Sequence, residues 1–370
     1  MSSIRIHPKP SRCDSPAWAK PGKLSLRAGW HNIARVFVFH ALILVAIPPV
    51  ALTAEEPEKA SALVVEDLDW PKVELKNGSL SAIIAVPDST KGFYNGVRFD
   101  RSGFLYRVQA GNLRLFGPWK TGFQRGSLDA VTGAAGEFGM ESPLGYGEAK
   151  PGEAFVKIGV GHLKRLDASA YSFTKKYEIV NPGTWILAQG SSFFEATQEL
   201  SPLRGWAYRY RKRITLSDPQ TITITYWLKN TGKKSFSTDY YAHNLLVFND
   251  QPVSAGDRME ILADLAGPKL YEPARLAPRT IAFEGPIIPG KGYWMEMPLP
   301  LKLKNPVLAR MTNQASGASV TLSTDASPFK LVFYAHDKAL CAEPFVKIDL
   351  ASGEEMTWTD TYQISPGPTR

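Results

Sequence analysis

The segment KALCAEPFVKIDL, residues 338 to 350, places a single carboxylate, Glu343, inside an otherwise apolar tract that runs from Ala339 to Val346. A carboxylate in apolar surroundings loses hydration, so it is stable there only if partners satisfy it or if its proton affinity rises. A raised proton affinity suits a general base. Glu343 is therefore a candidate catalytic residue.

A second segment, STDYYAHNLLVFND at residues 237 to 250, contains a candidate partner, His243. If the segment is a strand, alternation places Tyr241, His243 and Leu245 on one face and Asn244 on the other. A histidine that acts as an acid and a glutamate that acts as a base suit proton transfer at the anomeric centre of a sugar. The alternative is a core histidine with one ring nitrogen bonded to backbone. The two segments lie about 100 residues apart, so only the fold can bring them together.

The turn-rich segment GFYNGVRFDRSG, residues 92 to 103, contributes Arg98. Its guanidinium is planar and always charged, which suits forked hydrogen bonds to hydroxyls or to a carboxylate of a ligand. The alternative is an internal salt bridge to Asp100 or to a glutamate.

A glycine-rich stretch at residues 137 to 161 matches no phosphate-binding loop motif, so its glycines are expected to form tight turns. Its acidic residues are expected mostly in solvent: Glu137, Glu141 and Glu148. Aromatic side chains that could stack on sugar rings or fill the core are Trp119, Trp185, Trp206, Tyr208 and Trp294.

These residues need a scaffold, and the spacing of apolar side chains predicts one built from strands. In TITITYWL, residues 221 to 228, every second residue from Ile222 to Leu228 is apolar, which places these side chains on one face of a strand. FKLVFYAH and EEMTWTDTYQI near the C-terminus are also predicted strands. Asn77-Gly78 between two apolar runs predicts a tight hairpin. GDRMEILADL, residues 256 to 265, is the best candidate for a short helix.

The distribution of glycine and proline between these runs bears on domain organisation. Gly and Pro, 30 and 28 residues, are spread along the chain and are not concentrated in one linker. No internal repeat of a propeller or solenoid type is visible. The sequence therefore predicts a single all-β domain of many antiparallel strands over residues 71 to 370.

Residues 1 to 54 have the layout of a secretory signal peptide. Seven Lys or Arg and one Asp precede the apolar run at residues 36 to 47, which is too short to span a bilayer comfortably. Cleavage is predicted after Ala54, and residues 55 to 70 are expected to form a flexible lead-in. The protein is thus expected to be exported, either periplasmic or secreted, without stable membrane insertion. The alternative is anchoring by an uncleaved N-terminal segment.

Removal of this leader lowers the formal net charge from +8 to +2. Only short basic clusters such as residues 209 to 213 are left, so no nucleic-acid partner is expected. Of the two cysteines, Cys13 lies in the leader and Cys341 is then alone, which excludes an intramolecular disulfide. Without a cysteine pair a structural zinc site is not expected, and no metal or cofactor is predicted. The sequence leaves the oligomeric state open.

Taken together, three short segments resemble the galactose mutarotase-like superfamily, specifically its aldose 1-epimerase type. They are CAEPF at residues 341 to 345, YAHNLLVF at 241 to 248 and NGVRF at 95 to 99, and they occur in family order over some 250 residues. The resemblance implies a large antiparallel β-sandwich, also called a supersandwich, with a ligand cleft on one sheet face.

By this likeness, Glu343 takes the proton from the anomeric hydroxyl and His243 protonates the ring oxygen, so that the sugar ring opens and recloses as either anomer. Arg98 contacts sugar hydroxyls, and Asn244 and Trp294 are further candidate substrate contacts. The two catalytic side chains are expected on facing walls of one cleft, about one sugar ring apart. The expected partner is a sugar or glycan ligand.

The sequence departs from the family pattern at two points. The only histidine that precedes His243 in the mature part, His162, lies in GVGHLKR and not in the family's Asn-His-Gly type motif. The family's substrate-holding aspartate is unassigned, and KGYWMEM at residues 291 to 297 occupies its region. Two alternatives to an epimerase therefore stay open: a carbohydrate-binding protein without turnover, and a protein related to polysaccharide lyases or glycosidases.

Overall fold

The computed structural model describes residues 69–120, 123, 127–261, 270–298 and 307–368. The expected signal peptide over residues 1 to 54 and nearly all of the lead-in over 55 to 70 lie outside the described residues. Within the described ranges the chain forms strands, turns and irregular segments, and no helix. Accordingly, these ranges contain no apolar helix of membrane-spanning length.

The strands of the described ranges are, in chain order, β1 Lys72–Asn77, β2 Leu80–Ala85, β3 Phe104–Ala110, β4 Leu113–Leu115, β5 Gly133–Phe138, β6 Ala154–Lys157, β7 Gly161–Lys164, β8 Ile179–Asn181, β9 Thr184–Gln189, β10 Phe193–Leu203, β11 Trp206–Asp218, β12 Thr221–Asn230, β13 Phe236–Val247, β14 Arg258–Ile261, β15 Ala274–Ala277, β16 Thr280–Phe283, β17 Gly292–Pro298, β18 Val307–Thr312, β19 Ser319–Thr324, β20 Pro328–His336, β21 Ala339–Leu350 and β22 Glu355–Ser365.

Two large sheets dominate the described part of the chain. The larger has ten strands in the order β15-β16-β14-β18-β19-β22-β12-β11-β10-β9, and the second has five in the order β17-β20-β21-β13-β5. The neighbouring strands of the five-stranded sheet all pair antiparallel. Smaller sheets comprise β1 to β4 and β6 to β8. The five-stranded sheet carries the segments in which the sequence places His243 and Glu343.

The two large sheets share one hydrophobic core. Tyr226 and Trp358 of the ten-stranded sheet lie against Tyr240 of the five-stranded sheet, with ring centroids 5.0 Å and 5.1 Å from the Tyr240 ring. All three side chains are buried. Each aromatic side chain of this size removes on the order of 150–250 Å² from water, so such contacts dominate the packing energy. The described chain is therefore an antiparallel all-β sandwich, as the sequence predicts.

Strand β12 shows how alternation selects the core residues. Its inward side chains are fully buried: Ile222, Ile224, Tyr226 and Leu228. The residues between them, at 223, 225 and 227, are half-exposed on the outer face. The predicted hairpin also forms, because β1 and β2 pair around Asn77-Gly78 and Gly78 has a φ of +60°, which favours glycine.

The predicted helix at residues 256 to 265 is wrong over the part that the structure describes. Residues Arg258–Ile261 form β14, which pairs with both β16 and β18. Pairing on both edges and alternate burial override the weak helical pattern of this short segment. Residues 262 to 265 lie outside the described residues.

One buried acid in this core has a pKa well above the usual range of an aspartate. Asp360 of β22 is buried, and its burial raises its pKa to about 7, although a hydrogen bond from Thr324 opposes the shift. The protonated form of Asp360 is thus the form that the fold favours. Because the unfolded chain releases this proton at lower pH, the folded state binds more protons between about pH 4 and pH 7.

We expect the stability contribution of this group to decline as pH rises through that window. Asp360→Asn removes the titration, so the free energy of unfolding of the variant relative to wild type should increase from pH 4 to pH 8, by up to about 4 kcal/mol. Urea denaturation of both proteins at several pH values measures the difference. A difference that does not change with pH would contradict the prediction.

Candidate functional site

The five-stranded sheet brings the two candidate residues together through strand register. On the antiparallel pair β13 and β21, Tyr240 lies opposite Val346, and the same register resumes at Leu246. Between these points the register places His243 opposite Glu343. Both side chains point to the face of the sheet that is turned away from the ten-stranded sheet, because Tyr240 on the alternate face packs against that sheet.

His243 and Glu343 are in direct contact. The Nδ1 atom of His243 lies 2.5 Å from Oε1 of Glu343. Both side chains border the same cavity, with 14% of the His243 side chain and 5% of the Glu343 side chain exposed. The expectation of facing walls one sugar ring apart is therefore wrong. Opposite residues on neighbouring strands have Cα atoms only about 5 Å apart, so the two side chains meet on one floor of the cavity.

Cys341 is the third polar side chain of this floor. It lies two residues before Glu343 on β21, hence on the same face, and its thiol donates to Oε1 of Glu343 over 3.3 Å. Burial, together with the neighbouring Glu343 carboxylate, raises the pKa of Cys341 well above its usual value. The side chain is therefore a neutral thiol and a hydrogen-bond donor. Its contact and that of His243 both hold the Glu343 carboxylate in place.

Arg98 reaches the same floor from the segment between β2 and β3. Its guanidinium donates to Oε2 of Glu137 over 2.9 Å, to Oδ1 of Asp129 over 2.7 Å and to the hydroxyl of Tyr241 over 3.0 Å. The internal salt bridge that the sequence leaves as an alternative thus forms, with Glu137 and Asp129 as the partners. Little of the donor capacity of this arginine is left for a ligand.

The position of Arg98 also assigns the proton on the histidine. Its Nη2 atom lies 3.4 Å from Nε2 of His243. A guanidinium nitrogen has only protons to offer, so Nε2 accepts and carries the lone pair, while Nδ1 carries the proton that it donates to Glu343. Nε2 is therefore the hydrogen-bond acceptor of the ring, and the His243 side chain lies beside the cavity.

Glu137 of β5 forms hydrogen bonds with both Arg98 and Tyr241 and so connects them. Its carboxylate is fully buried and accepts from Arg98, from the hydroxyl of Tyr241 over 2.6 Å and from Nζ of Lys157 over 3.1 Å. Burial opposes its ionisation, but the charges of Lys157 and Arg98 outweigh burial and hold the pKa of Glu137 below its usual range. The prediction that Glu137 lies in solvent is wrong, because two cations and a hydroxyl replace its hydration.

The Arg98 segment is itself fixed to the core. The backbone N–H of Asp100 donates to the carbonyl of Gly136 on β5 over 2.7 Å. The buried Asp100 carboxylate lies 3.3 Å from Nζ of Lys212 on β11, which is also buried. An arginine that lies two residues from such an anchor loses little conformational freedom when it orders, so its position is built into the fold.

The cavity above this floor has a volume of about 450 Å³. Its walls are largely aromatic and apolar, and at the rim Trp294 of β17 is 59% exposed. Charged groups at the border include Glu296 and Lys330, which pair over 3.1 Å. The aromatic residues that line it are Phe99, Trp119, Phe173, Tyr241, Trp294, Tyr334 and Phe345.

Two of the predicted stacking residues, Trp119 and Trp294, therefore border the cavity. The other three do not: Trp185 and Trp206 pack against the main core and Tyr208 is buried within it. An aromatic wall with a few convergent polar groups is the usual composition of a small-molecule site.

Asn244 does not reach the cavity. It is buried on the opposite face of β13, where its amide donates to the carbonyl of Ala342 over 2.7 Å and its oxygen accepts from the hydroxyl of Tyr362 over 2.5 Å. Its side chain thus bonds to β21 where the backbone ladder is open, near Pro344, which has no N–H to donate. The predicted substrate contact of Asn244 is wrong because strand alternation turns it into the core.

Sequence reasoning assigned no role to Tyr241, Cys341, Asp129 or Lys157. Strand period offers a way to find the first two, since each lies two residues before a candidate residue and so shares its face. Asp129 and Lys157 come from a loop and from a different sheet, and no local pattern connects them to Arg98.

The fold and the site together define an antiparallel β-sandwich protein with a carboxylate–imidazole pair on one sheet face. Solved structures to which the chain is similar include a galactose mutarotase-like protein from Lactobacillus casei, with 12% identity over 80% of this chain and 100% of that chain and a TM-score of 0.48. A galactose mutarotase-like protein from Clostridium acetobutylicum has 11% identity, 80% and 96% coverage and a TM-score of 0.48.

An aldose epimerase homologue from C. elegans has 12% identity, 80% and 99% coverage and a TM-score of 0.43. No sequence-family model and no curated protein matches the chain.

The buried ion pair between Lys157 and Glu137 yields a stability prediction. Lys157→Met removes one cation from the buried Glu137 carboxylate, so the free energy of unfolding should fall by about 3 kcal/mol. Urea denaturation measures the loss. The matched control is Lys164→Met on β7, because its pair with Glu178 is exposed and should contribute less than about 1 kcal/mol. Equal effects of the two substitutions would contradict the prediction.

Proposed function

We propose that this protein is a carbohydrate-active isomerase that interconverts the anomers of an aldose by opening and reclosing the sugar ring. The observation that carries the proposal is the His243–Glu343 pair at the floor of a cavity with aromatic walls. A neutral imidazole hydrogen-bonded to a carboxylate is suited to general acid–base catalysis, because the carboxylate stabilises the imidazolium that forms when Nε2 takes a proton.

The size and lining of the cavity support a sugar as ligand. Its volume of about 450 Å³ lies within the range of small-molecule sites, which is roughly 300–1,000 Å³. The C–H faces of a pyranose are apolar and pack on aromatic rings, whereas its hydroxyls need polar partners. Trp294 and Phe345 supply such aromatic surface, and His243 and Glu343 supply the polar floor.

The direct contact between His243 and Glu343 changes how the reaction would proceed. In the sequence-based hypothesis the glutamate and the histidine act as separate groups on two sides of the sugar. In the structure they form one unit, and Nε2 of His243 is its free base. The anomeric oxygen and the ring oxygen are bonded to the same carbon, so one imidazole nitrogen reaches both.

The proton balance of this route closes within the pair. Nε2 takes the proton of the anomeric hydroxyl, the bond between the anomeric carbon and the ring oxygen breaks, and the imidazolium returns the proton to the ring oxygen. The aldehyde then rotates, and the reverse sequence closes the ring on either face. Glu343 stays ionised and stabilises the intermediate imidazolium through Nδ1–H.

A second candidate function is carbohydrate binding without turnover, and one observation favours it. The guanidinium of Arg98 is engaged by Asp129, Glu137 and Tyr241, and it also lies 3.4 Å from Nε2 of His243. An aldose must displace this last contact before the histidine accepts its proton. If the contact persists with a sugar bound, the cavity serves recognition alone.

Exchange NMR of aldose anomers tests catalysis. The wild-type protein should accelerate anomer interconversion of at least one aldose in a broad panel. His243→Asn and Glu343→Gln should lower that acceleration by roughly 10²-fold or more, since each removes half of the acid–base pair. Matched controls are His162→Asn and Glu260→Gln, which lie outside the cavity and should keep wild-type rates.

Binding measurements separate the two candidate functions. One outcome is that the wild-type protein binds a sugar without accelerating anomer exchange and that Glu343→Gln retains this binding. Such a result would favour a carbohydrate-binding function over the isomerase function. Absence of both binding and exchange across the panel would refute both.

The rim tryptophan gives a prediction about affinity. Trp294→Ala removes the most exposed aromatic surface of the cavity, so the Kd for a sugar ligand should rise roughly fivefold to twentyfold, which corresponds to about 1–2 kcal/mol of lost apolar contact. Isothermal titration calorimetry measures the change. Trp227→Ala on the outer face of β12 is the matched control and should leave the Kd unchanged. An unchanged Kd in Trp294→Ala would show that the ligand does not use this wall.

A further inference from the structure

The floor of the cavity holds a second combination of chemical groups besides the acid–base pair. Nδ1 of His243, Sγ of Cys341 and a carboxylate oxygen of Glu343 all lie within 4.8 Å of one another. Two of these side chains border the cavity, and the cysteine lies directly beside them. All three are carried by the adjacent central strands β13 and β21, so their relative positions are set by sheet geometry and not by a loop.

From these positions we propose that His243, Cys341 and Glu343 form a binding site for a zinc-type divalent cation. An imidazole nitrogen, a thiolate sulfur and a carboxylate oxygen are the donor types that Zn²⁺ and its analogue Co²⁺ prefer in proteins. The sequence predicts no metal, because its mature part has only three histidines and no cysteine pair. The cluster is assembled from segments about 100 residues apart, so no local pattern reveals it.

The distances between the donor atoms are close to those of a tetrahedral site. Donors at ordinary zinc bond lengths lie roughly 3.3–3.6 Å apart. Sγ of Cys341 is 3.3 Å from Oε1 of Glu343 and 3.8 Å from Nδ1 of His243. Only the hydrogen-bonded distance of 2.5 Å between Nδ1 and Oε1 must lengthen, by roughly 1 Å, when the proton between these atoms is replaced by the cation.

The protons and charges balance. The cation displaces the thiol proton of Cys341, which leaves to solvent, and the proton on Nδ1 of His243 moves to Nε2. One thiolate and one carboxylate then neutralise the two charges of the cation. The Nε2–H group can no longer accept from Arg98, so their 3.4 Å contact opens, while the other three partners of Arg98 still hold it.

The arrangement leaves one coordination position toward the cavity. Three protein ligands with a fourth position open to water or a ligand atom are typical of catalytic zinc sites and not of structural ones. Occupation of the site would consume Nδ1 of His243 and the Glu343 carboxylate, so the metal-bound protein should lose the acid–base pair. This last consequence rests on the proposed function, whereas metal binding itself does not.

Cobalt titration tests the site without reference to activity. Full-length protein treated with a chelator and a thiol reductant should bind one Co²⁺ and develop the near-ultraviolet thiolate-to-cobalt absorption band, which Zn²⁺ should abolish by displacement. Cys341→Ser should lose the band, and Cys13→Ser, which changes the other cysteine of the chain, should keep it. Glu343→Gln should keep the band but weaken Co²⁺ affinity by roughly tenfold or more.

The opposite results would overturn the proposal: no thiolate band in the wild-type protein, or a band that persists in Cys341→Ser and disappears in Cys13→Ser. Circular dichroism confirms that each variant is folded before titration. Anomer exchange is then measured with and without equimolar Co²⁺. Exchange that continues unchanged while the cobalt band shows the site to be occupied would refute the role of the pair in catalysis but not the metal site.

Discussion

A single buried carboxylate, Glu137, holds the candidate site together. Its two oxygens accept from Arg98, Tyr241 and Lys157, which come from three different parts of the chain. In a low-dielectric interior an unpaired carboxylate is costly, so each partner is required to keep the charge tolerable. The same bonds orient Arg98, and Arg98 in turn faces Nε2 of His243. The orientation of Arg98 toward Nε2 thus depends on a charge that no ligand in the cavity needs to touch.

This chain of contacts explains why the cavity combines apolar walls with a polar floor. The polar groups satisfy one another before any ligand arrives: Arg98 by acids and a hydroxyl, Glu343 by an imidazole and a thiol. Preorganised groups lose little freedom when they act on a ligand, which favours both binding and catalysis. The cost is that a ligand must compete for bonds already made, and the 3.4 Å contact at Nε2 is the longest of them.

Much of this fold was predictable from the sequence because strand alternation is a local property. The inward faces of β12 and β13 follow from every second side chain, and so does the common orientation of His243 and Tyr241. Pairing register and partners distant in sequence are not local. The contact between His243 and Glu343 required the register of β13 on β21. The burial of Glu137 depends on cations from a loop and from another sheet, whereas its glycine-rich sequence context predicts exposure to solvent.

The open ladder between β13 and β21 has one more consequence, for how freely the site can change during evolution. Where backbone hydrogen bonds between the two strands are missing, side chains connect them: Asn244 to the carbonyl of Ala342, and His243 to Glu343. In many proteins the residues of an active site reduce the stability of the fold. Their replacement then lowers activity without lowering stability. Here the candidate site residues also connect the two strands. A lineage without the proposed activity would still be under pressure to retain polar side chains of similar length at these positions.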